Sequence, residues 1–309
     1  MTLKPSRLPA VALWLLVSMF ATSPAFAQEI TVTLLGTGSP VASMDRFGPS
    51  ILVQAGTQTF VFDAGRGALQ RLTQVAVTFD QVNALFLTHL HSDHVVGIPD
   101  LWLSGWLLSR RSEPLRVFGP TGTSAMMGHL KQAFEFDIRL RIEDDKAPPA
   151  GSELRVTDIT QGVVYEAQGV RVIAFEVDHR PIVPAFGYRV EYGGRSVVLS
   201  GDTRFSTNLI KFAERADLLI HEVADGSDAY LAQNPNYAQV LAHHTRPQDV
   251  GKVFDAVKPK LAVYSHIVTR GVAAQDLVKR TRETYSGPLV VGEDLMRFVV
   301  GRDVAIYRP

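Results

Sequence analysis

Apolar residues recur along this chain at two spacings, and the switches between them outline its architecture. Runs at 29–35, 50–54 and 57–62, each followed by a glycine-bearing turn, predict a β-meander. Helical spacing over 65–74 gives way to a strand over 82–87 and then to a helix over 96–110. LRVFGP predicts a strand with a Gly-Pro stop, ahead of a helix over 121–136 and a polar loop, EDDKAPPAGSE, over 143–153. That loop has linker composition, but a second β series over 162–165, 170–177, 186–192 and 195–199 follows at once, so no domain boundary is expected there. YGGR, between the last two strands, predicts a hairpin turn. The remainder alternates: helix 207–215, strand 217–221, helix 246–257, strand 261–266, helix 273–285. Two β-rich halves, each finished by helices, fit two packed sheets with helices outside.

The first 27 residues depart from this pattern. MTLKPSR is a positive n-region, AVALWLLVSMF an apolar core too short to span a bilayer, and Ala25-Phe26-Ala27 a small-x-small cleavage site. The expectation is a signal peptide over 1–27, a mature domain over 28–309 beginning at Gln28, a periplasmic or secreted location, and no stable membrane anchor after cleavage. Export permits disulfides, yet the chain has no cysteine, so any metal must be held by nitrogen and oxygen. Lys and Arg number 31 against 31 Asp and Glu. Without Lys4 and Arg7 the balance turns slightly acidic, which argues against a nucleic-acid partner.

Chemistry concentrates at THLHSDHVVGIPDL, where His89, His91, Asp93 and His94 fall within six residues after the apolar run ALFL. Two histidines at i and i+2 on an extended loop share a side, while the Asp-His pair beyond them turns toward a neighbouring point, so the loop can feed two metals. Imidazole and carboxylate suit zinc, iron or manganese. A dinuclear site needs more ligands, and His179, Asp202 and His266 each follow or end a predicted strand.

HLHSDH, His179 ahead of FGYR, then SGDT, HEV and YSHI, in that order, resemble the metallo-β-lactamase superfamily, in its ribonuclease Z and arylsulfatase-like branch. The resemblance runs from LLGTGSP at Leu34 to His266. It implies a single-domain, four-layer αββα sandwich. It further implies that His89, His91 and His179 hold one metal and Asp93, His94 and His266 the other, with Asp202 bridging. Two cations sharing one water would supply hydroxide near neutral pH. Asp93 then counts among the catalytic residues as well as the ligands. His221 and Glu222, in DLLIHEV, are implied as the pair that protonates the leaving group, with HEV in place of that branch's HEAT. His244, in LAHHTRP, corresponds better than His243 to the branch's substrate-side histidine. Asp63 resembles its early aspartate, which orients metal ligands.

Other residues carry weaker signals. Trp102 and Trp106 share a helix face, which suits core packing first and a substrate pocket second. His129 reads as an ordinary helical histidine, and Arg204 as an exposed residue after GDT.

The functional expectation is an exported dinuclear hydrolase of a small phosphodiester or aryl sulfate ester, with two divalent ions, zinc first and manganese or iron as alternatives. Its partner would be a small anionic ester, and the sequence leaves a homodimer open. The first alternative is a tRNA 3′-processing endonuclease of the ribonuclease Z kind. Against it stand the leader, the neutral charge, and the tight hairpin FGYRVEYGGRSVVLSGDT where many enzymes of that branch insert a tRNA-gripping arm. Lactone hydrolysis is a weaker alternative. A silent metal-binding protein would be expected to have lost ligands, and all seven are present.

Overall fold

The computed structural model describes residues 1–2 and 28–309. All but the first two residues of the expected leader, and its cleavage point after Ala27, lie outside the described residues. Fifteen strands among the described residues form two sheets. The first half of the chain contributes β1 (Ile30–Gly36), β2 (Ser50–Ala55), β3 (Gln58–Phe62), β4 (Ala84–Phe86), β5 (Leu115–Gly119) and β6 (Leu154–Asp158). The second contributes β7 (Gly162–Ala167), β8 (Val170–His179), β9 (Ile182–Tyr192), β10 (Arg195–Leu199), β11 (Leu218–Gly226), β12 (Leu261–Arg270) and β13 (Leu289–Val291). The chain then returns to the first sheet with β14 (Arg297–Val300) and β15 (Val304–Tyr307), giving orders β15-β14-β1-β2-β3-β4-β5-β6 and β13-β12-β11-β10-β9-β8-β7.

The sheets face each other across a fully apolar layer, with Val32, Phe60, Phe62 and Phe86 from one side against Val172, Tyr188, Val190 and Ile220 from the other. Helices α1 (Ala68–Gln74), α2 (Ser92–Val95), α3 (Ile98–Leu107), α4 (Thr123–Ala133) and α5 (Glu135–Glu143) belong to the first half of the chain. The second half adds α6 (Thr207–Phe212), α7 (Asp228–Gln233), α8 (Tyr237–Leu241), α9 (Pro247–Val257) and α10 (Ala274–Thr281). The outer face of the first sheet is covered by α3, whose buried residues Ile98, Leu101, Trp102, Gly105 and Trp106 keep helical spacing. On the other sheet α9 plays the same part with Val250, Val253, Phe254 and Val257. The result is the αββα sandwich.

Several expected elements differ. The helix expected over 121–136 ends at Ala133, and beyond a break at Phe134 (φ −100°, ψ 9°) a further helix that the pattern does not predict runs from Glu135 to Glu143. The helix over 96–110 starts at Ile98, because Gly97 separates it from α2, and the helix over 207–215 ends at Phe212. Strands β11 and β12 run on past His221 and His266, and β6, α7, α8 and β13–β15 were not anticipated. Trp102 and Trp106 are both fully buried in the layer between α3 and the sheet, so neither lines a pocket mouth.

This topology aims one rim of the sandwich. Strands β3, β4, β5 and β6 are mutually parallel, as are β10, β11, β12 and β13, and β8 runs in the direction of β10 because each is antiparallel to β9. Asp63, His89, His179 and Asp202 stand at or just after the C-terminal ends of β3, β4, β8 and β10, and Glu222 and His266 lie midway along the longer β11 and β12.

Candidate metal centre

The loop after β4 holds His89, then His91 at the extended N-cap of α2 (φ −63°, ψ 145°), then Asp93 and His94 in its first turn. The Asp-His half of the motif is therefore helical rather than loop. Asp202 follows Gly201, whose φ of 60° and distance from the Phe186 carbonyl (2.3 Å from where a Cβ would stand) leave space only for hydrogen. His266 sits on a β-bulge: Ser265 and His266 together oppose Glu222 alone, and His266 adopts φ 44°. That bulge re-aims the imidazole toward Asp202.

Oδ2 of Asp202 is the focus. It lies 3.0 Å from His266 Nε2, 3.5 Å from His94 Nε2, 3.7 Å from His89 Nε2 and 3.8 Å from His179 Nε2. His91 Nδ1 completes one side, 3.0 Å from His89 Nε2 and 3.4 Å from His179 Nε2. Asp93 Oδ2 completes the other, 3.7 Å from His94 Nε2 and 3.9 Å from His266 Nε2. The seven side chains thus fall into two adjoining groups, His89, His91, His179 and Asp202 on one side and Asp93, His94 and His266 on the other, and a third grouping sets His244 beside Asp202 and His266.

The surrounding bonds fix which ring nitrogen is free. His179 Nδ1 donates to the His243 carbonyl (2.9 Å) and His266 Nδ1 to the Gly38 carbonyl (2.7 Å). Thr88 Oγ1 donates to Asp63 Oδ2, so it accepts from His89 Nδ1 at 3.0 Å. His94 Nδ1 bonds Asp63 Oδ2 at 2.7 Å, and Asp63 holds the left-handed backbone (φ 55°) needed to reach back. The inward-facing Nε2 of each of these four rings is consequently the atom left to a metal, and His91 Nδ1 stands 3.0 and 3.4 Å from two of them, His89 Nε2 and His179 Nε2. Asp93 Oδ2 and His94 Nε2 are buried with no protein partner. Burial is the main reason that His89, His91 and His179 are held below the ordinary imidazole pKa, in the neutral form a metal requires. The donor set fits two divalent cations.

His221 does not join this group. Period-two alternation on β11 turns it to the helix side, where its ring meets Phe254 edge-on (centroids 5.9 Å apart) and its Nδ1 donates to the Glu222 carbonyl at 2.7 Å. Burial lowers its pKa, so it is a neutral core residue. The His221–Glu222 pairing expected from DLLIHEV is not formed. Glu222 instead points between the sheets, with Oε1 3.3 Å from His244 Nδ1, an ion-pair contact without hydrogen-bond alignment. Oε1 also accepts from Thr245 N (2.9 Å). Burial opposes charge on His244, but Glu222 and then Asp202 outweigh it and raise the imidazole to about 9. His244 Nδ1 is also 4.0 Å from Asp202 Oδ2, which places the ion pair against the metal ligands. The signal for this pairing was present in the sequence, since adjacent strand residues cannot face one site.

The remaining candidates are ancillary. His129 is a surface residue of α4. His243 supplies its carbonyl to His179. Arg204 donates to the Ala242 and Arg180 carbonyls at 2.5 and 2.9 Å and so pins the segment carrying His244.

A family model described as "Anti-Pycsar protein Apyc1" matches residues 30–233. A ribonuclease Z of Mycobacterium marinum is 36% identical over 278 residues, covering 88% of this chain and 99% of that protein. Among solved structures, the metallo-β-lactamase fold protein YhfI from Bacillus subtilis superposes with a TM-score of 0.69 at 17% identity, covering 88% of this chain and 99% of that one. A diphosphatase of the PhnP family superposes with a TM-score of 0.63 at 17% identity, covering 87% and 96%.

Proposed function

As this chain belongs to the metallo-β-lactamase-fold hydrolases, in the families of ribonuclease Z and the anti-Pycsar protein Apyc1, we propose that it hydrolyses phosphodiester bonds. One observation carries the reading: a single carboxylate oxygen, Asp202 Oδ2, within 4.0 Å of four ligand-grade imidazoles and of the His244 end of a buried Glu222 ion pair. His89, His91 and His179 would hold one ion and Asp93, His94 and His266 the other, with Asp202 shared; zinc suits these donors, as do manganese and iron. Two such ions polarise a phosphoryl oxygen and lower the pKa of water.

The chain's own groups do the rest. Asp63 and the carbonyls of Gly38 and His243 fix the ligand tautomers. Glu222, itself held by Thr245 N, keeps His244 protonated, and His244 is the group that gives a proton to the leaving oxygen. This moves the acid role from His221 to His244.

The names of the relatives favour phosphate over sulfate, and RNA as the first substrate to test. A small phosphodiester is the second reading, favoured by the tight Gly193-Gly194 turn between β9 and β10, where both glycines have positive φ and no arm is inserted. Export after cleavage at Ala27, and a homodimer, belong to the same proposal. The test is a rate comparison on precursor tRNA, a bis-aryl phosphate, an aryl sulfate and a lactone at identical metal loading. A phosphodiester should be turned over fastest, and faster turnover of the sulfate or the lactone would overturn the reading.

A further inference from the structure

Four arginines, Arg110, Arg111, Arg116 and Arg155, line one cavity of about 480 Å³ on the first sheet. It lies at the starting ends of the parallel strands: Val82 and Asn83 precede β4, Pro114 precedes β5, and Arg116 and Arg155 are the second residues of β5 and β6. The metal centre grows from the finishing ends of β3 and β4, so the two sites occupy opposite rims of this sheet. The carboxylates lining the cavity are Asp80 and Glu113, both exposed, which leaves the arginines in excess. Among the described residues, none of the four arginines and neither carboxylate has an ion-pair partner within 4.0 Å.

The guanidinium groups are held rather than free. Arg111 is 6% exposed and donates to the Trp102 carbonyl at 2.9 Å; Arg110 donates to the Lys146 carbonyl at 2.9 Å. Arg116 lies over the Tyr165 ring, 4.8 Å from its centroid, and 5.3 Å from that of Phe118. Unneutralised guanidinium charge repels its like. One ligand class answers it: a dianion with several oxygens, which planar guanidinium forks bind in pairs. The volume exceeds a bare phosphate group, and the Tyr165–Arg116 stack offers a flat neighbour for the remainder of the molecule.

We propose that this cavity binds the phosphate group of a small anion, at a site separate from the metal centre and independent of what that centre hydrolyses. The metal-loaded chain is titrated calorimetrically with inorganic pyrophosphate and, separately, with adenosine 5′-monophosphate, in wild type and in Arg116→Gln and Arg155→Glu variants. Arg155 is exposed, so its variant is expected to fold whatever the site does; circular dichroism and metal content confirm this for both. Each variant should weaken one binding event by about tenfold or more, the scale of one lost charge-assisted contact. Binding to the metal centre should persist in both. The probe bound more tightly identifies the source as free phosphate or nucleotide. The absence of any variant-sensitive binding of either probe at millimolar concentration overturns the proposal.

Discussion

Glu222 Oε1 stands 3.3 Å from His244 Nδ1, while His221, its neighbour in sequence, packs edge-on against Phe254 on the opposite face of the same strand. This relationship decides which histidine can move a proton. His244→Ala should leave metal content intact and lower kcat by about 10²–10⁴-fold, the usual range for a general acid. Glu222→Gln should lower kcat in the same direction. His221→Leu should keep kcat near wild type and cost about 1–3 kcal/mol of stability, from the carbonyl it leaves unpaired. A collapse of kcat in a stable, metal-replete His221→Leu protein would return the acid role to His221.

Asp202→Asn should remove activity and metal together, because its Oδ2 belongs to the His89 group and lies 3.0 and 3.5 Å from His266 and His94 Nε2 of the other. Elemental analysis should find about two equivalents of transition metal in the wild type and a loss in the variant. Chelation should lower the thermal midpoint, since ligands that converge only in the folded state couple metal binding to folding.

Removing the Asp63 carboxylate charge frees the His94 ring. Asp63→Asn should weaken metal affinity by about 10–100-fold while the fold persists, as for other partners that orient metal ligands. Competition with a fluorescent chelator measures this directly, and unchanged affinity would make Asp63 a turn residue alone.

The elevated pKa of His244 predicts a pH dependence in the metal-free protein. Its folded value of about 9 lies above that of a free imidazole, so the pair's contribution is complete below about pH 6.5 and is lost as pH rises through 9. Thermal midpoints of wild type and Glu222→Gln should therefore converge as pH rises from 6 to 10. A constant gap would show that the charge on His244 does not depend on Glu222.

N-terminal sequencing of protein recovered from an exporting host should begin at Gln28 if the leader is cleaved after Ala27. Recovery of intact Met1 from the cytoplasm would end the export proposal.

Much of the sandwich could be read from periodicity, because β3 and β11 are continuous buried runs and α9 keeps strict helical spacing. The convergence of His89, His91, Asp93, His94, His179, Asp202 and His266 was foreshadowed by their placement in the motif loop and at strand ends. The facing of His221 is not legible because the pattern predicts a strand that stops there, whereas β11 continues buried to Gly226. The strands β14 and β15 are illegible for a different reason: they are four residues each, and it is the long-range pairing of β14 to β1, with β15 added to β14 as the edge strand, rather than local propensity that makes them strands. The break at Phe134 carries no glycine or proline to announce it.

The bulge at Ser265 and His266 faces β11 on one side and on the other begins just past Tyr264, the last residue paired to β13, where Ile267 N donates instead to the Thr37 carbonyl. A one-residue slip of β12 past either neighbour would swing a ligand out of the centre and reverse every buried side chain that follows. Correct registry of that strand and competence to load metal are thus a single event. Metal uptake during refolding should time the locking of the second sheet, not merely the collapse of the chain.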